Sequence, residues 1–267
     1  MPNSYLKNIF KQTVYKNYLN QKGNFTYYGE KVFFPKNSTT FKLAMRDGIY
    51  EHEILKFIQS NIKDHSTYID VGANIGLMSI PVLAMNTSIK VLSLEASPNT
   101  FNFLKQTRDN CSFKERWSIY NKAVSNNNKE IDLFITSNAD GAFESIMDTK
   151  RVSFSGTVKV PGITIDELWT SLNKPDVSFI KSDIEGADLL ALQGAVSCME
   201  HCKPMIMVEW NRVNIKPFEF QNQHLLDFCN NNNYRCYAIP SLIPINNSME
   251  LSLHTVITEN YLLTPII

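Results

Sequence analysis

One stretch constrains this chain more than any other: Tyr68-Ile69-Asp70-Val71-Gly72-Ala73-Asn74-Ile75-Gly76. A β-type run from Thr67 to Val71 enters a turn carrying two glycines, and apolar residues at Leu77, Ile80, Leu83 and Ala84 follow at helical spacing. Strand, glycine-rich turn and helix form the half-unit with which open, doubly wound α/β sheets hold a nucleotide. Glycine at 72 lets the backbone turn tightly without a Cβ clash, and glycine at 76 is expected to let a ligand approach the helix start. Asp70, at the strand's end, is placed to meet a cationic or hydroxylated group.

The spacing is Asp-x-Gly-x-Asn-x-Gly, not Gly-x-Gly-x-x-Gly. A pyrophosphate wants bare N–H groups at a helix N-terminus. S-adenosylmethionine (SAM) has no phosphate; it carries an ammonium, a carboxylate and a sulfonium, so an acidic residue beside the glycines suits it. A second buried strand, Val91 to Leu94, ends at Glu95, nineteen residues past Gly76. That is close to the spacing at which a carboxylate accepts hydrogen bonds from ribose hydroxyls. Ser97 then caps a helix with Pro98 at its first position.

A chain of 267 residues suits one α/β domain with extensions. We expect an N-terminal helix and hairpin extension over residues 1–50 and one SAM-binding α/β domain over 51–267. Lys plus Arg and Asp plus Glu are 26 each, and net zero charge disfavours a nucleic-acid partner held by a basic face. No apolar stretch reaches the roughly 18 residues that span a bilayer, so no stable membrane insertion is expected. The first 21 residues lack the continuous apolar core of a secretory signal. With five cysteines, this points to reduced thiols and a cytoplasmic setting. Cys198 and Cys202, with His201 beside them, lie four apart on one helix and read as core thiols.

Along the chain, Tyr5 to Leu19 reads as an amphipathic helix and residues 25–34 as a hairpin around Gly29-Glu30. Thr40 to Met45 reads as a strand and Tyr50 to Ile62 as a helix, all covering the open end of the sheet. Glu51 starts that helix, where the dipole favours a carboxylate and where it can reach a cofactor. Asn99 to Asp109 is a helix, Trp117 to Asn121 a strand, and Glu130 to Thr136 an added antiparallel strand. Ser137 to Arg151 reads as a loop over the pocket, and Thr164 with Glu167 is a capping box. A buried strand from Val177 then ends in Lys181-Ser182-Asp183-Ile184-Glu185-Gly186, followed by a helix from Ala187 to Cys198. Pro204 to Glu209 is a strand that again ends in a carboxylate. A helix over Glu219 to Cys229 is expected, then a closing antiparallel pair over 234–239 and 251–258.

These residues resemble the FkbM family of SAM-dependent methyltransferases. The matching stretches are the glycine turn, Glu95 to Pro98, Thr164 to Leu168, Phe179 to Asp188, Gln193 to Ala195 and Pro204 to Glu209, about half the chain. The glycine motif belongs to methyltransferases generally; Lys-x-Asp-x-Glu-Gly with the next strand ending in Glu is the more specific part. The resemblance implies a seven-stranded, Rossmann-like class I methyltransferase sheet with helices on both faces, and O-methylation of a hydroxyl, often on a sugar. Carried over by position, Asp70, Gly72, Asn74, Gly76 and Glu95 would hold SAM, while Asp183, Glu185 and Glu209 would line the acceptor side.

Methyl transfer to a hydroxyl needs alignment and removal of a proton. Asp183 is the first candidate base and Glu209 the second, with Lys181 and Glu185 completing the catalytic group. A variant uses Mg²⁺ or Mn²⁺ on Asp183, Glu209 and Asn211. The expected rim, Asp140, Asp183, Glu185, Glu209 and Asn211 with Phe143 and Trp210, suits the vicinal hydroxyls and apolar face of a sugar or glycan; Lys181 is the cation placed to help. Methylation of a small-molecule natural product, a non-catalytic SAM-binding protein and a nicotinamide oxidoreductase are the alternatives; the glycine spacing counts against the last.

Overall fold

The computed structural model describes residues 13–136 and 141–266. Val71 and its neighbours show why the sheet forms where it does. The strand Thr67–Val71 (β3) is buried along its whole length, as a parallel strand covered on both faces must be. Its period-two alternation sends Ile69 and Val71 into one apolar cluster and Tyr68 into another. Val91 and Leu92 of Lys90–Leu94 (β4) and Phe179 and Ile180 of Val177–Ser182 (β9) divide between the same two clusters.

The other strands are Asn24–Tyr27 (β1), Glu30–Phe33 (β2), Trp117–Tyr120 (β5), Ala123–Val124 (β6), Glu130–Ile135 (β7) and Gly156–Ile163 (β8). Met205–Glu209 (β10), Tyr234–Ala238 (β11), Ile243–Ile245 (β12) and Asn260–Pro265 (β13) follow. Among the described residues the central sheet has eight strands in the order β12-β11-β13-β10-β9-β3-β4-β5. Strands β5, β4, β3, β9 and β10 run parallel, and β13 enters antiparallel between β10 and β11. Seven strands were expected; the eighth, β12, is a three-residue edge strand paired with β11. Successive strands depart in opposite directions from the boundary between β3 and β9, which makes that boundary the switch point where open sheets bind ligands.

The helices that matter for the site are Thr39–Asp47 (α1), His52–Asn61 (α2), Ser79–Met85 (α3) and Pro98–Asp109 (α4). Thr40 to Met45, expected as a strand, lies in α1. Ser38 caps it by accepting from the Phe41 N–H at 3.0 Å, and Phe41 and Ala44 bury at helical spacing. The expected helix from Ala187 is two, Asp188–Gln193 (α5) and Val196–Cys202 (α6), broken at Gly194, where a Cβ would lie 2.3 Å from the Ser125 carbonyl oxygen. The expected strand over 251–258 is instead the helix Ser248–His254 (α7), capped by Asn247, with β13 only after it.

The hairpin β1–β2 lies along α4, where the Phe33 N–H donates to Thr107 Oγ1 at 3.0 Å. Residues 13–22 are helical, and the rest of the expected N-terminal helix lies outside the described residues. Leu19, Phe25, Phe34, Phe41 and Leu55 share one buried cluster with Tyr68, Val91 and Phe179 of the sheet. A separate three-stranded sheet, β6-β8-β7, flanks the carboxyl end of β4 and β5. The five cysteines are unpaired, and no helix among the described residues is long and apolar enough to cross a membrane.

Candidate active site

A cavity opens at the switch point, above the carboxyl ends of β3, β4, β9 and β10. Val71 and Ser182 are register partners, so the turns that follow their strands meet. The Asp183 N–H donates to the Val71 carbonyl at 3.1 Å. Gly72 has a φ of 80°, and a Cβ there would lie 2.0 Å from the Asp183 carbonyl oxygen, so only glycine permits the two turns to touch. Gly76, with a φ of 92°, is bare for a different reason than expected. A Cβ would lie 2.7 Å from the Trp117 ring, so its space is filled by protein, not kept for a ligand.

Asp70 also departs from its expected role. It is fully buried and does not line the cavity. The Trp117 indole donates to Ser93 Oγ at 2.8 Å, Ser93 lies 2.7 Å from Ser79 Oγ, and Ser79 donates to Asp70 Oδ2 at 2.5 Å. This chain ties the glycine turn to the sheet beneath it. Asp70 is therefore a positioning residue for the turn.

Glu95 and Asn74 do line the cavity. Glu95 Oε1 accepts from the Ser97 N–H at 2.8 Å and Oε2 from the Asn74 N–H at 2.9 Å. Both oxygens are thereby aimed and keep lone pairs for a diol. Burial pushes the Glu95 carboxyl up to about 7 against those two N–H groups. Glu51 caps α2 in the left-handed region, φ 45°, without a side-chain capping bond. Its carboxylate turns into the cavity instead, where burial raises it to about 7 against the pull of Lys181.

On the far wall Asp183, Glu185 and Glu209 converge. Lys181, itself buried beneath the floor, places its Nζ 2.9 Å from Asp183 Oδ2 and 3.8 Å from Glu51 Oε2. Burial works against the ammonium, but Asp183, Glu51 and Asp70 hold its pKa well above the usual lysine value. Asn214 donates from Nδ2 to Glu185 Oε2 at 2.8 Å and to Glu209 Oε2 at 3.1 Å. Arg151 donates to Glu185 Oε2 at 2.7 Å and to Asn214 Oδ1 at 2.9 Å. Burial and the neighbouring Asp183 push Glu185 up to about 8 and Glu209 well above the carboxylate range.

Two expected rim residues are elsewhere. Asn211 caps the helix Arg212–Ile215: its Oδ1 accepts from the Val213 N–H at 2.8 Å and its Nδ2 donates to Glu259. It is not on the cavity lining, so its oxygen is not available to a divalent ion. Trp210 is fully buried, its indole donating to Asn222 Oδ1 at 2.9 Å, so it offers no face to a sugar. Asp140 lies outside the described residues. Phe143 does line the cavity, under the Arg151 guanidinium at 5.3 Å. Among the described residues no three His, Cys, Asp or Glu side chains gather in a way that could hold a metal ion.

Sequence reasoning missed Arg151, Tyr50, Glu144 and Asn214. The loop ending at Arg151 was legible as a cover for the pocket; its arginine carried no spacing signal. Six carboxylates line the cavity, Glu51, Glu95, Glu144, Asp183, Glu185 and Glu209, against one lining cation, Arg151, among the described residues. Such a cavity concentrates cationic ligands, which fits the sulfonium and ammonium of SAM, and Glu95 fits its ribose.

Sheet order and a switch-point cavity at the acidic strand ends define a Rossmann-like fold of the class I methyltransferase type. The Methyltransferase FkbM domain matches residues 70–236, and the chain belongs to that family. The crystal structure of methyltransferase FkbM from Methylobacillus flagellatus KT covers 97% of this chain at 15% identity and a TM-score of 0.50, with 60% of that chain covered; it shows the shared fold. The ribosomal RNA small subunit methyltransferase G of Mycoplasmopsis pulmonis is 30% identical over 115 residues, 42% of this chain and 49% of that protein. The hexuronic acid methyltransferase AglP of Haloferax volcanii is 24% identical over 160 residues, 58% of this chain and 61% of that protein. The chain thus spans about half to three fifths of the length of these curated relatives.

Proposed function

We propose that this chain O-methylates a hydroxyl of a sugar, on a glycan or on an activated or lipid-linked precursor. The observation that carries the reading is Asp183, which stands at the switch point against Gly72 with Lys181 holding one of its oxygens. SAM supplies a methyl group on an already activated sulfonium. What remains for the protein is alignment and proton removal, and orienting two bound reactants is worth ~7–11 kcal/mol.

Asp183 is the base of this reading. Its Oδ2 is fixed by Lys181 and its Oδ1 faces the cavity without a hydrogen bond among the described residues. Oδ1 accepts the proton of the acceptor hydroxyl as that oxygen bonds to the methyl carbon and the sulfur–carbon bond breaks. Burial and the neighbouring carboxylates favour the protonated form of Glu209, which lets it serve the acceptor as a donor. Glu185 and Arg151 bracket further hydroxyls, held in place by the buried Asn214, and Phe143 is the aromatic face that remains for a sugar ring.

Similarity to AglP supports a sugar acceptor. Similarity to a ribosomal RNA methyltransferase raises a polyanionic acceptor as the competing reading. A cavity lined by six carboxylates, in a chain of net zero charge, weighs against it. Labelled SAM incubated with fractionated glycans, followed by mass spectrometry, is expected to place the methyl on a sugar oxygen. Label found only on RNA or on protein nitrogen would refute the reading.

A further inference from the structure

The roof of the cavity holds a carboxylate that the reaction does not use. Glu144 sits on the segment that joins β7 to β8 and lines the cavity, yet it is only 7% exposed. Its Oε1 is occupied: the Thr136 N–H donates to it at 2.9 Å and the Thr136 hydroxyl lies at 3.3 Å. Its Oε2 is buried with no hydrogen-bond partner among the described residues. A buried acceptor left bare is destabilising, so such an atom in a cavity wall marks where a ligand supplies a donor.

The donors on adenosine identify which. Apart from the methionine end, adenosine offers two ribose hydroxyls and the purine amine. Glu95, with both oxygens aimed by backbone N–H groups, suits the diol. Its neighbour across the cavity is Glu144, whose charge helps to raise the Glu95 carboxyl. The same lining carries Ala96, Ala123, Val124, Leu133 and Ile146, an apolar slot for a flat ring. A ring anchored through its ribose on Glu95 and lying in that slot has one donor left.

We infer that Glu144 Oε2 accepts a hydrogen bond from the purine amine of the cofactor, so that the accessory sheet completes the cofactor site from above. The inference rests on the SAM reading. It also links the two halves of the cavity. The next residue, Ser145, donates from its hydroxyl to the Glu185 carbonyl at 3.0 Å, and Arg151 reaches the Glu185 carboxylate. A cofactor seated on Glu144 therefore steadies the segment that fixes the acceptor wall.

The test compares S-adenosylhomocysteine with its 6-deamino analogue, in which hydrogen replaces the purine amine, by calorimetry. The unmodified protein is expected to prefer the amine by about tenfold, the worth of a charge-assisted hydrogen bond. Glu144→Gln keeps a carbonyl for Thr136 and turns an NH₂ toward the amine, donor against donor. It is expected to bind S-adenosylhomocysteine about tenfold more weakly and to lose the preference. Equal affinity of the unmodified protein for the two analogues, or an undiminished preference in folded Glu144→Gln, overturns the inference; the first needs no variant to fold. Failure of S-adenosylhomocysteine itself to bind would overturn the SAM reading as well.

Discussion

Glu95 gives both of its oxygens to backbone N–H groups before any ligand arrives, which fixes its direction, while burial pushes its carboxyl up to about 7. Glu95→Ala is expected to weaken SAM binding by about 1.5–3 kcal/mol, the range for hydrogen bonds to a charged group, with the fold retained; calorimetry reads it directly. Asp183 contributes at a different step. Asp183→Asn is expected to leave SAM affinity within about twofold and to lower turnover ~10²–10⁴-fold, the usual worth of a positioned base. Turnover of the unmodified protein is expected to survive a chelator, because Lys181 already neutralises Asp183. Loss with chelator and recovery with Mg²⁺ or Mn²⁺ would reassign Asp183 as an ion ligand.

At the scale of elements, the glycine turn is held by packing on both sides, against β9 through Gly72 and against Trp117 through Gly76. Gly76→Ala adds a methyl against that ring in a backbone region disfavoured for alanine. It should destabilise the protein by about 1–3 kcal/mol, read as a lower Tm in calorimetry. The strand-turn-helix unit was legible because its signal is local: a buried run, two glycines and a helical repeat within one window. So were Glu95 and Asp183, because each ends a buried strand. What was not legible depends on distant pairing. Asn211 looked like a strand-end donor until Val213 and Glu259 claimed its side chain, and Trp210 looked like a platform until Asn222 took its indole and Phe220 stacked beside it. Thr40 to Met45 has β-branched and aromatic content, but Ser38 caps it into a helix. Arg151 meets Glu185 only through a loop that crosses the cavity.

For the whole molecule, the acidic cavity sets a pH dependence. Glu51 and Glu95, near 7, and Glu185, near 8, hold protons more tightly in the folded chain than an exposed glutamate does. The folded state therefore binds more protons than the unfolded state between about pH 4.5 and 8, and stability without ligand falls as pH rises through that window. A cationic ligand prefers the ionised carboxylates, so SAM affinity should rise from pH 6 to 8 with release of protons. Calorimetry in buffers of different ionisation enthalpy counts them. By the same linkage SAM, and not NAD, should raise the Tm.

The position of β13 has a consequence for how the chain is made. This strand follows all the others among the described residues, yet it lies inside the sheet, bonded to β10 on one side and β11 on the other. Domains take shape from their N-terminal side during synthesis. Here β3, β4, β5, β9 and β10 can assemble as a parallel block, while β11 and β12 wait beside a gap that only Asn260–Pro265 fills. A nascent chain halted before Asn260 would expose the open edge of β10, a template for pairing with other chains. Premature termination should therefore yield an aggregating species and not a shortened enzyme.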